Sequence, residues 1–293
     1  MPARPNSAMT PWDRIATLAR FAPTPHNTQP FRIAPIDDAS ARIVILPERM
    51  LPREDHGNLY LASAFGVFVA AMRTAALHFG FRLHVEPRDD VDVARLHESK
   101  TPIVLGTVSI TPHAPAVDGE TLLLARRTSR LPYLNREIDR RSLEALSGIA
   151  RRGGHDLIVR SDDAFVRRIL RLNAGAVVDN LQLDEERREV LSWSRFGPTP
   201  EFGDGLWQVP MNQPAWQLRG ALTMPRPLVW PGVRQVAVRS FLKTQRGTRH
   251  VALLRGPFRT WPELVAAGEL LFEFWMAMAE HDVYMHPMGS MLT

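Results

Sequence analysis

The sequence predicts a mixed helix-and-strand fold organised around one buried helix. Three observations carry this expectation. Helix-start signals stand at Thr10-Pro11-Trp12-Asp13 and Thr260-Trp261-Pro262-Glu263, short alternating apolar runs flank Asp37-Asp38, and residues 58–79 are apolar on nearly every side. A helix of that last kind belongs in the middle of a domain, because no face of it is suited to water.

Each element follows from local chemistry. Thr10 is an N-cap, Pro11 fits the first helical position and Asp13 completes a capping pair, so a helix runs from about Pro11 to Phe21. The prolines that follow end it. Residues 31–36 and 41–46 pair as a hairpin, and strands follow the buried helix at 81–86 and 102–110. A second half begins near Pro115, dividing the chain into 1–114 and 115–293, with helices at about 119–128, 140–152 and 162–191. Between Gly197 and Gly232 lie seven prolines, five glycines and Trp207, Trp216 and Trp230. Long loops in compact proteins are functional or disordered, and tryptophans need something to pack on, so residues 197–232 read as a lid. Strands at 235–240 and 249–254 precede the final helix, which starts at the Thr260 to Glu263 capping box.

Composition excludes several classes. With 45% apolar and 23% charged residues over 293 positions, wholesale disorder, collagen and coiled coil do not fit. The absence of cysteine removes disulfides, thiolate metal sites and cysteine nucleophiles. Residues 59–72 are too short to span a bilayer, 264–279 contain Glu269 and Glu273, and Met1 to Met9 lack a signal-like apolar stretch. The expectation is a soluble, cytoplasmic protein with no membrane partner. The 36 basic and 31 acidic residues leave +5, and since only Lys100 and Lys243 are lysines, 34 are arginines. That surplus raises the question of nucleic acid, but no recognition motif is present and aromatics are not interleaved with basic runs, so none is expected.

The common glycine fingerprints for nucleotides are missing, as are H-E-x-x-H and G-x-S-x-G, and the scattered histidines make no metal set. Two segments are richer. Ala22-Pro23-Thr24-Pro25-His26-Asn27-Thr28-Gln29-Pro30-Phe31 fixes its backbone with proline while presenting an imidazole, hydroxyls and two carboxamides, which can match the alternating edge of a heterocycle. It also reads as an elaborate helix-stopping turn. Arg126-Arg127-Thr128-Ser129-Arg130 offers three guanidinium groups and two hydroxyls to a dianionic phosphate, at roughly 1.5 to 3 kcal/mol per charge-assisted bond. In a chain this rich in arginine it also reads as ordinary surface. Arg151-Arg152 and Arg187-Arg188 fit exposed helix positions. Finally, residues 64–84 match 266–286 at an offset of 202, with Ala64, Gly66, Ala75 and His84 falling on Ala266, Gly268, Ala277 and His286. The same order in both, a buried helix with an early glycine and then a strand, suggests two related halves.

The first segment resembles the A-P-S-x-H-N-x-Q-P-W loop of nitroreductase-like flavoproteins, and the second resembles their R-R-S-x-R phosphate-binding stretch. Their order is that of the fused branch of the family, in which two degenerate copies in one chain imitate a dimer. The resemblance implies an α+β fold, an antiparallel sheet flanked by helices in two degenerate halves, as a monomeric pseudo-dimer or a homodimer. It implies FMN, its phosphate held by Arg126 and Arg127 with Thr128 close by, Arg130 at the pyrimidine edge, and Asn27 on the isoalloxazine with His26, Thr28 and Gln29 shaping that wall. The implied activity is ping-pong oxidoreduction from a reduced donor, NAD(P)H, to a small organic acceptor. Flavin N5 carries the hydride, so no side chain need act as a catalytic residue. The alternative is an FMN-sequestering protein without turnover. Thr24-Pro25 and Phe31 depart from the family pattern, and no basic residue follows Arg259, which leaves Arg255 or Arg259 to complete a phosphate site.

Overall fold

The computed structural model describes residues 9–88, 90–197, 203–224 and 226–289. Residues 198–202 and 225 of the expected lid, and the extreme N-terminus, lie outside the described residues. In chain order the elements are α1 (Pro11–Ala19), β1 (Phe31–Pro35), β2 (Ser40–Ile45), α2 (Leu59–His78), β3 (Phe81–Pro87), β4 (Ile103–Pro112), α3 (Gly119–Ala125) and α4 (Arg140–Arg152). They continue with β5 (Asp156–Arg160), α5 (Asp163–Asn180), α6 (Asp184–Trp193), β6 (Ser194–Arg195), β7 (Leu206–Trp207), α7 (Ala215–Thr223), α8 (Pro231–Thr244), β8 (Val251–Arg255) and α9 (Trp261–Glu280). The fold is α+β. Its main sheet is antiparallel in the order β1-β2-β4-β3, while β5 pairs with β8 and β6 with β7.

The predicted N-terminal elements form for the predicted reasons. Thr10 and Asp13 cap α1 reciprocally, and Trp12 on its buried face donates from Nε1 to the carbonyl of Asp37 at 3.0 Å. Asp37 in turn accepts the amides of Ala39 and Ser40, which fixes the hairpin turn and its register, Phe31 opposite Ile45. Ala41, Ile43 and Ile45 then point inward and join the core cluster that also contains the buried residues of α1 and α2. Helix α2 runs to His78, beyond the 59–72 stretch that reads as too short to span a bilayer, so by length and composition it could cross one; 67% of its most apolar window is buried in the fold. Its N-terminus is capped at a distance. The buried Asp55 carboxylate accepts from the amides of Tyr60 and Leu61, and burial holds its pKa above the usual carboxylate range.

Helices α2 and α9 make the most extensive contact between elements. Gly66 lies so close to α9 that an added Cβ would fall 1.9 Å from the carbonyl oxygen of Val265. Gly268 makes the matching approach, 1.9 Å from the carbonyl oxygen of Ser63. Ser63 and Val265 are separated by the same 202 residues as the two glycines, so the contact is reciprocal.

Three expectations in the second half are corrected. The run expected as a strand at 235–240 lies within α8. The single helix expected over 162–191 is α5 and α6, divided by a turn at Leu181 to Leu183. The stretch 197–232 is not wholly irregular, since it contains α7. In addition, Arg187 is buried, with its guanidinium on the Leu222 carbonyl and the Asp184 carboxylate, while Arg188 stays exposed. The strand β5 was not anticipated.

Because backbone rather than a movable side chain meets the added carbon, Gly66→Ala and Gly268→Ala should each lower unfolding free energy by about 3 kcal/mol or more. Urea unfolding measures this. A loss below about 1 kcal/mol would show that the helices can slide apart cheaply.

Candidate functional site

The arginine stretch begins where α3 ends. Helix α3 is seated on α2, where a Cβ on Gly119 would come 2.8 Å from the Thr74 carbonyl oxygen. The chain then runs beside the segment after α9: Thr128 bridges to Met285 in parallel, and the Ser129 amide donates to the Met285 carbonyl at 2.9 Å. Beyond it, Tyr133 and Asn135 donate their amides to the carbonyls of Arg246 and Gly247. Gly247 is required there, with φ +77° and a hypothetical Cβ 1.9 Å from the Tyr133 carbonyl oxygen.

This seating separates the three arginines. Arg126 and Arg130 are partly buried, and Arg127 is exposed and turned back on the carbonyls of Leu124 and Arg126. Arg126 reaches Thr128 Oγ1 at 3.2 Å and lies over the Trp275 ring at 5.4 Å. Its Nε is sealed from solvent without a hydrogen-bond partner, as is Trp275 Nε1. Among the described residues no carboxylate pairs with Arg126 or Arg130. Burial, then the neighbouring Arg127, lowers Arg126 to about 10, and burial lowers Arg130 as well. At neutral pH Arg126 is still a cation, and a buried cation without a counter-charge is costly. His286 completes the corner. One ring nitrogen, Nδ1, lies 3.1 Å from the Ser129 carbonyl, and burial followed by Arg130 lowers its pKa to about 4. At neutral pH it is an uncharged ring whose Nδ1–H donates to that carbonyl, leaving Nε2 as an acceptor.

The Ala22 to Phe31 segment is held differently. His26, Asn27 and Gln29 have φ of 49°, 52° and 48°, three non-glycine residues in the left-handed region within four positions. Such strain persists only where surrounding contacts impose it. Here the contacts come from the turn at residues 203–205. Asn27 Nδ2 donates to the carbonyl of Gly205 at 3.3 Å and Gln29 Nε2 to that of Gly203 at 2.9 Å, while the Gly205 amide returns to the Asn27 carbonyl at 3.0 Å. Asp204 sits between Arg49 at 2.9 Å and Arg195 at 3.1 Å, and Arg49 also donates to the carbonyl of the buried Thr28. His26 Nε2 lies 2.9 Å from Glu54, and the amides of Arg53 and Glu54 donate to Glu189 on α6. Gly205, at φ +80° and with a hypothetical Cβ 2.6 Å from the Trp193 carbonyl oxygen, makes this turn possible.

No hydrogen bond or ion pair joins residues 26–29 to 126–130 among the described residues. They are linked in series through the N-terminal end of α2, where Tyr60 donates to the Gly289 carbonyl at 2.6 Å, three residues beyond His286. Arg255 is spent on Asp156 and Arg259 is exposed, so neither is placed in the arginine corner. His286 and Trp275 are there instead, and sequence reasoning missed both. A signal for His286 existed, since it falls on His84 in the 202-residue match. A cleft of about 530 Å³ opens just past Arg130, between Pro132, Tyr133, Asp163, Arg246 and Arg249. No group of three or more His, Asp or Glu side chains is placed to hold a metal among the described residues.

The donors of Arg126, Thr128 and Arg130 are of the type that suits a phosphate-bearing group such as FMN, because an anion at the accessible edges of the two half-buried guanidinium groups would offset charge that no carboxylate balances among the described residues. The amides of Asn27 and Gln29 are already bonded to the lid, so a ring reaching them would have to take the place of the Gly203 and Gly205 carbonyls. Compared with protein-family models the chain matches none, and no curated protein matches it.

Two outcomes are expected. His286 has its ordinary pKa of 6.5 when unfolded and about 4 when folded, so between these values the unfolded chain binds the extra proton and stability falls as pH falls. The urea midpoint should decline across that window, and His286→Gln should flatten the decline; an unchanged slope would contradict it. Asp204→Ala should speed hydrogen exchange of the Gly205 amide at least roughly tenfold by loosening the 203–205 turn. Exchange at the parent rate would show that the ion pairs do not hold it.

Proposed function

We propose that this chain is an FMN-binding flavoprotein of the nitroreductase-like kind, working as an oxidoreductase on a small organic molecule. One observation carries the reading: Arg126, with its Nε sealed over the Trp275 ring, and Arg130, next to the neutral His286, are half-buried cations with no carboxylate partner among the described residues. An ordinary surface cluster pairs its charges or leaves them in water. These two await an anion.

In this reading Arg126 and Arg130 bind the phosphate-bearing cofactor, with the Thr128 hydroxyl as a further donor. Arg127, exposed and bonded to local carbonyls, contributes mainly long-range potential. His286 positions the Ser129 backbone and offers Nε2 as an acceptor. When bound, FMN supplies hydride transfer through N5 between a reduced donor, NAD(P)H, and an organic acceptor. Asn27 and Gln29 would hold the ring through their carboxamides, in place of the Gly203 and Gly205 carbonyls that they bond here. The reciprocal approach of Gly66 and Gly268 supports two related halves in one chain, since isologous contact is what a former two-fold dimer interface would leave.

A second reading, sequestration of FMN without turnover, is favoured by the Asp204 clasp and the three hydrogen bonds that close the lid onto Asn27 and Gln29. The two readings separate in one experiment. The purified protein, or the protein incubated with FMN, should show flavin absorption, and anaerobic NADPH or NADH should bleach it if the enzyme reading holds. Persistent colour selects sequestration, and no FMN uptake overturns both. Arg126→Ala with Arg130→Ala should lower FMN affinity by about 100-fold or more, from two lost charge-assisted interactions. Undiminished stoichiometric binding would displace the site.

A further inference from the structure

Positive charge is segregated along this chain. From Gly205 to Pro262 there is no acidic residue, and nine basic ones, so that the remaining 235 residues carry a net −4 while the whole is +5. Three of the nine are neutralised by acids elsewhere: Arg234 by Asp179, Arg249 by Glu137 and Asp163, and Arg255 by Asp156. Arg219, Arg239, Lys243, Arg246 and Arg259 have no carboxylate partner among the described residues. Arg219 lies over the Phe196 ring at 5.9 Å.

The same region exposes its large apolar side chains. Trp216 is 77% exposed, Trp230 64%, Val236 62% and Val229 59%. On α8, Val236, Arg239 and Lys243 fall at i, i+3 and i+7, so they share one exposed face, and Val229, Trp230 and Val233 continue it past the helix start. On α7, Trp216 and Arg219 are exposed one turn apart. The two helices are tied by Gln217 Nε2 donating to Ser240 Oγ at 2.8 Å. On the inner side, α8 packs on α5 and Arg234 pairs with Asp179. The outer face therefore carries tryptophan, valine and unpaired cations together.

We infer that this outer face of α7 and α8, with the Val229-Trp230 turn, is a peripheral membrane-binding surface selective for anionic phospholipid. The inference is independent of the flavin reading. Lipid satisfies both features at once: indole and valine enter the headgroup and acyl boundary while arginine and lysine stay with the phosphates. A second copy meeting the face isologously would set its cations against themselves. A nucleic acid would pair with the cations but give Val229, Val233 and Val236 nothing apolar to pack on. Such a surface needs no spanning helix.

The test is sedimentation of the full chain with sucrose-loaded vesicles at near-physiological salt. It should pellet with phosphatidylcholine vesicles containing about one part in three phosphatidylserine, remain in the supernatant with phosphatidylcholine alone, and be released at high salt. Trp230→Ser, and Arg239→Gln with Lys243→Gln, should each lower partition by roughly tenfold while leaving the melting temperature unchanged, since these side chains are exposed. Absence of binding to the anionic vesicles, equal binding to both kinds, or variants that pellet like the parent would overturn it. Binding to a DNA duplex without sedimentation on vesicles would assign the face to nucleic acid and overturn it as well.

Discussion

Two long, predominantly apolar helices can hide most of their surface from water only by burying it against one another, and α2 and α9 do so at backbone distance. Gly66 and Gly268 permit the approach, and neighbouring elements take their positions from it. Trp275, beneath Arg126, is carried by α9; α3, which delivers the arginine stretch, is seated on α2. The N-terminal end of α2 carries Asp55 and Tyr60, and through Tyr60 it fixes the segment that follows His286. Burial of several large side chains at roughly 1.5 to 3 kcal/mol each holds the pair together, so the local cost of the site is borne elsewhere.

That local cost has two forms. In the arginine corner it is electrostatic, because partly withdrawing Arg126 and Arg130 from water without a carboxylate partner opposes folding, and burial first and Arg130 second lower the pKa of His286. In the Ala22 to Phe31 loop it is conformational, with left-handed backbone at His26, Asn27 and Gln29 held by contacts to Gly203, Asp204 and Gly205. Folds tolerate such costs at functional sites, where a ligand or a partner segment offsets them.

Much of the N-terminal architecture is legible in local chemistry. Both capping boxes, the Asp37 turn and the hairpin register rest on residues within a few positions of one another, and α2 declares its burial by having no polar face. The second half is harder for physical reasons. Residues 235–240 place Val236 and Val238 two apart between Gln235 and Arg239, as a strand would, while Val233 and Val236 are three apart, as a helix would have them; contact with α5 goes with the helix, and a pattern that fits both periods cannot choose between them. The break between α5 and α6 carries neither proline nor glycine. Arg187 reads as surface by type, and only the carbonyl of Leu222, 35 residues away, explains its burial. The residue types of the two motifs were legible, but their partners were not: the carbonyls of Gly203 and Gly205 sit about 175 residues from the carboxamides that donate to them, and no local pattern records such a contact. Division of the arginine trio, two inward and one outward, likewise depends on the pairing of Thr128 with Met285.

The central claim is that Arg126 and Arg130 are withdrawn from water in order to hold a phosphate, and it is tested most directly by titrating the protein with FMN and with riboflavin, which shares the ring but lacks the phosphate. FMN should bind about 100-fold more tightly or better, the worth of two charge-assisted interactions in a partly buried site. Equal affinities for the two would contradict the claim, because the buried cations would then be contributing nothing to recognition.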